Sequence, residues 1–437
     1  MLNKSDAKNL ITKITASTKY YAVAMLAASE QGTTRFANSE ISQNVTITNG
    51  TMSLTLYDGK KQVTCTTNAL IEAGMEQLVR DAEYMLQAVP EGEFGAFLFS
   101  TEEIPERDTA NNLAVTFDAK GRVALIKEGV AHLEVGYTAS GALTLNSNVV
   151  AVGNSDGGFR YAAYDSVTFN TVVTHQDGTD GAGECTSYTN VPDIVGVFKK
   201  AQATSKAARN PVEPQLGWFT VVLSPNAFAD LINFTAMSLN AKSVEMGISF
   251  ASGKLGEKVF GENLTFCDDA NHPDLMPVPF DNEGNPRRQL SLVDKGVVNA
   301  YTYDNKTAAR AGTQSTGHSG GMFGPTPRNI VVAGGEQSMD EIIANTENGI
   351  YINELHYTNF VNSRNLQITG LTRNGTFLIE NGQITKPIAT VRFTESMLDA
   401  FNNITAISNE RELVAGYVGA ALVPGVRIEN FHFTSKP

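Results

Sequence analysis

Val45-Thr-Ile-Thr48 and Thr51-Met-Ser-Leu-Thr-Leu-Tyr57 alternate apolar and polar residues on either side of Asn49-Gly50. Alternation of period two gives a strand one buried face, and Asn-Gly supplies the positive φ of a tight turn, so the stretch predicts a hairpin across Asn49-Gly50. Tyr20 to Ala27 reads as an apolar strand before it, and Asp58-Gly59 turns the chain into a further strand from Gln62 to Thr66. A strand meander is therefore expected here, entered from a helix capped by Ser5 or Asp6 that carries Leu10, Ile11 and Ile14.

Beyond the meander, Ile71, Met75, Leu78, Val79, Ala82, Met85 and Leu86 form one helical stripe, so residues 69–88 are expected to be a helix that Val89-Pro90 stops. The stretch 95–190 reads as mixed strands with polar loops, followed by a helix near 191–208. The Pro-rich joint Asn210-Pro-Val-Glu-Pro214 marks a domain boundary. After it come a strand from Trp218 to Leu223 and a helix from Pro225 to Val244. That helix is capped by Ser224 and buries Phe228, Leu231, Ile232, Ala236 and Leu239. Ser338-Met-Asp-Glu341 is a capping box opening a helix that runs to near Gly349, and hairpins are expected at Asn374-Gly375 and Asn381-Gly382. The fold class expected is α+β. Residues 1–208 form a mixed α/β domain, and residues 211–437 form a strand-rich, mainly antiparallel domain with a few helices.

Composition narrows the function. With 33 Lys and Arg against 46 Asp and Glu, the net charge of −13 gives no basic surface for a phosphate backbone, so direct nucleic-acid binding is not expected. The first 18 residues have no apolar signal-peptide core, and no apolar run is long enough to span a bilayer, so neither secretion nor membrane insertion is expected. Three widely spaced cysteines, Cys65, Cys185 and Cys267, fit a reducing cytoplasm.

Two stretches match the G-x-S-x-G nucleophile elbow: Gly153-Asn-Ser155-Asp-Gly157 and Gly317-His-Ser319-Gly-Gly321. An elbow needs a strand-to-helix turn. Phe159 to Tyr164 reads as a second strand, so Ser155 belongs to a turn, and Ala308 to Ser315 is no strand at all. Asp268-Asp269-x-x-His272 reads as a solvated loop before Pro273. The six histidines, at 132, 175, 272, 318, 356 and 432, supply no pair at helical i, i+4 spacing, so no metal site is expected on this chain.

Ordered blocks along the chain carry a family resemblance. They include Arg35-Phe-Ala-Asn-Ser-Glu-Ile-Ser-Gln-Asn44, Ser249 to Phe260, Phe280 to Arg288, Ser315-Thr-Gly-His-Ser319 and His356-Tyr-Thr-Asn-Phe-Val-Asn362. Gly370 to Phe377, Arg392-Phe-Thr-Glu-Ser396 and Val423 to Ser435 complete the series. The chain resembles the TldD/PmbA (TldE) family, known as modulators of DNA gyrase and as peptidase components. The resemblance implies a zinc metallopeptidase in the TldD-like branch, with an HExxxH motif on the helix that here spans Pro225 to Val244. That helix contains no His and no Glu, and no Cys follows Cys267. The chain thus resembles the PmbA/TldE branch.

That branch implies a non-catalytic subunit that pairs with a TldD-like zinc subunit, the pair degrading or trimming short unfolded peptides. Zinc is expected on the partner and no cofactor on this chain. An exposed sheet edge would hydrogen-bond an extended peptide whatever its sequence. His318, His356, Tyr357 and Asn359 are the candidate peptide-binding residues, and no catalytic residue is identified. Two alternatives remain open at this level: a self-sufficient peptidase using Ser319 with His318 or His356, and a homodimeric peptide-binding or scaffold protein.

Overall fold

The computed structural model describes residues 2–321, 324–416 and 419–436. Two sheets organise it. The first has seven strands: β1 (Tyr21–Ala37), β2 (Glu40–Asp58), β3 (Lys61–Thr67), β4 (Arg107–Asp108), β5 (Tyr137–Asn154), β6 (Phe159–His175) and β7 (Asp180–Ser187). Their order is β3-β2-β1-β5-β6-β4, with β7 also paired to β6.

Asn49-Gly50 makes no turn. Strand β2 runs through it for 19 residues, and Asn49 and Gly50 face Ser29 and Ala28 on β1. The hairpin lies instead at Asn38-Ser39, with φ of 50° and 66°, which joins Ala37 to Glu40. Two central residues of positive φ are what a two-residue hairpin requires. Glycine at position 50 serves another need, since a Cβ there would collide with Leu70 Cδ1.

Helix α1 (Lys4–Ala16) is capped by Asn3, two or three residues earlier than the sequence suggests, because the Asn3 side chain accepts the Asp6 N–H at 2.9 Å. With α2 (Glu72–Ala88) it covers one part of the sheet, burying Ile11, Ile14, Leu54, Leu78 and Leu86. The rest is covered by α3 (Leu113–Thr116), α4 (Ala119–Ala131) and α5 (Ile194–Ala207), around Phe36, Phe169 and Phe198. Helix α4 falls where only strands and loops were expected. Its buried positions are Arg122, Ile126 and Gly129, so a charged residue and a glycine interrupt the apolar stripe that would have revealed it. Arg122 is fully buried. It donates to Thr34 Oγ1 at 3.2 Å, Phe117 O at 3.1 Å and Asn44 Oδ1 at 3.1 Å.

The second sheet has eleven strands. They are β8 (Gly217–Leu223), β9 (Phe266–Asp268), β10 (Leu290–Asp294), β11 (Val297–Val298), β12 (Asn329–Val332), β13 (Asn348–Asn362), β14 (Gln367–Glu380), β15 (Gln383–Pro387), β16 (Arg392–Ser396), β17 (Ile404–Gly416) and β18 (Gly419–Ser435). Most pairs are antiparallel, and β12–β18 and β13–β8 are parallel. Because β8 pairs with both β13 and β18, the strands β18, β16, β14, β13 and β8 close a ring. Closure removes free edges within the paired segments.

Helix α6 (Pro225–Met237) is shorter than expected, and α7 (Ala241–Glu245) restarts after it. Asn240 makes the break by donating to Met237 O at 2.7 Å while accepting the Ser243 N–H at 2.8 Å. Short helices α8 (Asn305–Ala311), α9 (Met339–Ala344) and α10 (Met397–Asn402) complete the half. The Ser338 capping box opens α9 as expected, but the helix ends at Ala344, before β13. Asn381-Gly382 turns β14 into β15, whereas Asn374-Gly375 lies inside β14 as a bulge opposite Asn353. Val152 and Ala162 of the first sheet pack with Val278 and Phe280 of the second half. No helix among the described residues is long and apolar enough to cross a membrane.

Candidate functional site

Helix α6 is held at its start by Ser224, which accepts the Ala227 N–H at 3.2 Å and donates to Asn353 O on β13 at 2.6 Å. Phe228, Leu231, Ile232 and Ala236 have no exposure at all, so this face belongs to the core. Asp230 is the helix's single charged residue. Its carboxylate accepts a hydrogen bond from Thr358 Oγ1 at 3.1 Å. Burial, opposed by that bond and aided by Glu354, pushes its pKa up to about 6. A zinc site needs several His, Cys or carboxylate donors converging on one point. Helix α6 offers one carboxylate, and among the described residues no three His, Cys, Asp or Glu are grouped to hold a metal. The residues present do not fit zinc.

Glu184 of β7 feels the charges of Glu354 of β13, Asp230 and Glu412 of β17, which come from both sheets. Glu184 keeps its own solvent access yet is ringed by enough protein that burial, then Glu354, Asp230 and Glu412, push its pKa up to about 7. Two partners temper the charge: Lys200 Nζ lies 3.1 Å from Glu412, and Asn374 Nδ2 donates to Glu354 at 2.7 Å. The result is an acidic region in which the pKa values of Asp230 and Glu184 are both raised. Asp230 was visible in the sequence as the one charge on its helix. The three glutamates gave no local signal, since they come from distant strands.

Of the sequence candidates, His356, Tyr357 and Asn359 share the free end of β13. His356 Nε2 sits 2.8 Å from Arg373 Nη1, and its ring centroid is 4.3 Å from that of Tyr357. Burial and then Arg373 lower the His356 pKa, so its Nε2 is the acceptor of the arginine's proton. Tyr357 has φ of 51° at a bulge opposite Gly370, which leaves its ring 77% exposed. Asn359 lines an apolar groove of about 510 Å³ with Phe234, Met237, Met246, Ile248 and Phe360.

His318 does not join them. It is 2% exposed, with Nδ1 2.9 Å from Thr316 Oγ1 and Nε2 3.3 Å from Asp268 Oδ1, so it cannot line a surface. Asp268 was expected in a solvated loop and is fully buried. Burial alone would raise its pKa, but Arg287 at 2.8 Å, His318 and backbone N–H groups outweigh that and hold it well below the usual carboxylate range.

The two serines lack catalytic settings. Ser155 sits in the β5–β6 turn, its hydroxyl accepting the Ala22 N–H at 2.9 Å. Ser319 adjoins His318, whose two ring nitrogens face Thr316 and Asp268 and not the serine.

Residues 217–435 match the family described as the PmbA/TldA metallopeptidase C-terminal domain. An uncharacterized protein of Methanocaldococcus jannaschii is 30% identical over 237 residues, 53% of this chain and 52% of that one. Metalloprotease PmbA of Escherichia coli O157:H7 is 23% identical over 305 residues, 67% of this chain and 64% of that one. The chain thus spans about half the length of several curated relatives it matches. The crystal structure of TldE from Thermococcus kodakarensis shares the fold with a TM-score of 0.84 at 21% identity, covering 98% of this chain and 99% of that one. A family match that takes in the whole second sheet, with relatives named for the same family, makes this chain a member of the PmbA/TldD family.

Proposed function

We propose that this chain is a PmbA/TldE-like, non-catalytic subunit of a TldD/TldE-type zinc metallopeptidase, holding short unfolded peptides while a TldD-like partner supplies the zinc. The observation that carries this reading is helix α6. It turns four large or small apolar side chains into the core and offers no set of zinc donors, in a chain whose family is metallopeptidase-like.

The peptide-holding role draws support from β13. Strand β8 pairs with it only over Ile350–Ile352. From Glu354 to Asn362, among the described residues, β14 is its one strand neighbour. Unpaired N–H and C=O groups on such an edge can add an extended peptide as a further strand. Asn359 and the apolar groove beside that edge would take side chains, and the acidic groups Asp230, Glu184 and Glu354 would attract a peptide's ammonium or basic groups. We place the complex in the cytoplasm.

The test is peptidase activity of this chain alone, of a TldD-like subunit alone, and of their mixture. Activity that appears only in the mixture and disappears with a chelator supports the reading. Activity of this chain alone that survives the chelator overturns it.

A further inference from the structure

Residues 94–104 run between the two halves as a strap without helix or strand. Among the described residues, no backbone N–H or C=O of this stretch meets another backbone group. Three arginines hold the strap instead. Arg310 Nε lies 2.6 Å from Glu93 Oε2 at its start, and Arg288 pairs with Glu102. Arg160 of β6 donates from Nη2 to Ser100 O at 2.7 Å and to Glu102 O at 2.6 Å. The first sheet therefore grips the strap's carbonyls, and the second half grips its carboxylates.

Phe99 is the wedge at the centre. Its ring lies 5.4 Å from the Arg160 guanidinium carbon, a cation–π distance. It packs on Val152 and Ala162 of the first sheet and on Val278 and Phe280 of the second half. A Cβ on Gly158 would lie 2.6 Å from one edge of the ring at Cδ1, and a Cβ on Gly284 would collide with the other edge at Cε2. One glycine from each half thus leaves a slot the width of an aromatic ring.

The strap is also a thin wall. On one side is a cavity of about 680 Å³ bounded by α1 and the β5–β6 turn, and on the other a cavity of about 700 Å³ bounded by the Asn285–Leu290 segment and α8. Leu98 and Ser100 are the residues that line both. With the strap lifted out, the two cavities join as one cleft between the halves, with the ring slot, Arg160 and Arg288 along it.

We propose that the strap is a displaceable intramolecular occupant of this cleft, and that the cleft takes in its place a short peptide with an aromatic residue followed three residues later by an acid. The strap shows what the cleft recognises: a ring in the glycine slot, carbonyls on Arg160 and a carboxylate on Arg288. It is also built to leave. Ion pairs as exposed as Glu93–Arg310 and Glu102–Arg288 hold weakly, no backbone ladder supports the stretch, and Leu98 is 87% exposed. A segment tethered at both ends competes at an effective concentration on the order of millimolar, so a free peptide binds weakly until the strap is loosened. None of the residues that hold the strap belongs to β13 or its groove, so the cleft is distinct from the peptide edge proposed above.

The test is fluorescence anisotropy of a fluorescein-labelled peptide copying residues 96–104, titrated with the full chain. Wild type is compared with the double variant Phe99→Ala, Glu102→Gln, and circular dichroism melts check folding. The expected result is at least about tenfold tighter binding by the double variant than by wild type. That binding should be lost when the peptide carries alanine at the position of Phe99, and weakened when Arg288→Ala is added to the protein. No binding by the folded double variant overturns the proposal and leaves the strap a fixed wall. Equal affinity of wild type and variant, or equal binding of the peptide lacking the ring, overturns it as well. If the double variant fails to fold, Glu102→Gln alone, at an exposed position, should bind about threefold tighter than wild type or better, and an unchanged affinity overturns the proposal. Each of these failures leaves the β13 edge untouched.

Discussion

Thr358 Oγ1 donates to Asp230 Oδ2 across 3.1 Å and so ties the bulged end of β13 to the first half of α6. The bond joins the strand that carries His356, Tyr357 and Asn359 to helix α6. It also sets a proton equilibrium, because the carboxylate it contacts is crowded by Glu354 and Glu184.

Asp230 should make stability depend on pH. A carboxyl that ionises near 6 when folded and near 3.8 when unfolded holds its proton more tightly in the folded state. Its contribution is complete below about pH 4 and is lost as pH rises through 6. Glu184, raised to about 7, extends the loss toward pH 8. Asp230→Asn keeps an acceptor for Thr358 and cannot ionise. We expect it to melt higher than wild type at pH 8, on the order of 2 °C, and at about the same temperature at pH 4.5. Scanning calorimetry at the two pH values decides this; an equal shift at both would show that ionisation is not the cause.

Arg122 should be one of the most sensitive positions of the first sheet. Its removal strands Asn44 Oδ1 and Thr34 in a buried site and opens a void beside Gly32, whose backbone approaches the guanidinium too closely for any Cβ. We expect Arg122→Ala to cost about 3 kcal/mol or more in urea unfolding. A cost under about 1 kcal/mol would mean that water replaces the guanidinium without penalty.

Gly50 and Leu70 should be coupled. Gly50→Ala puts a methyl against Leu70 Cδ1 within a strand, where alanine's backbone is otherwise unstrained. The clash is with the end of a flexible side chain, so about 1–2 kcal/mol is expected, and Leu70→Ala should recover most of it in a double-mutant cycle. Additive effects of the two substitutions would disprove the contact as the reason for glycine.

What the sequence disclosed follows from how local each signal is. The Ser224 cap with Pro225, the Ser338 capping box and the Asn381-Gly382 turn are decided within four residues, and all three stand in the structure. Asn49-Gly50 and Asn374-Gly375 are the same local signal and both misled, because long partner strands on either side enforce extension and leave the glycines to relieve crowding or form a bulge. Helix α4 was hidden by Arg122, a polar residue buried for partners about 80 residues away in the chain. Of the candidate residues, His356, Tyr357 and Asn359 adjoin in sequence and lie together on β13. The burial of His318 was not legible, since its partner Asp268 lies 50 residues earlier.

The purified chain should hold well under one zinc per molecule after dialysis. Zinc in proteins is four-coordinate and takes donors at about 2.0–2.3 Å, so three or more protein side chains must converge. Helix α6 contributes Asp230 alone. His318 and His356 are engaged with Asp268 and Arg373, and a zinc ion at either would have to displace a short polar contact. Elemental analysis by mass spectrometry on dialysed protein measures the content directly, and refolding in added zinc tests whether a site was merely emptied. About one tightly bound zinc per chain in either preparation would overturn the assignment of the metal to a partner. It would also move the search for the catalytic centre back to this chain, starting from the carboxylates Asp230, Glu184 and Glu354.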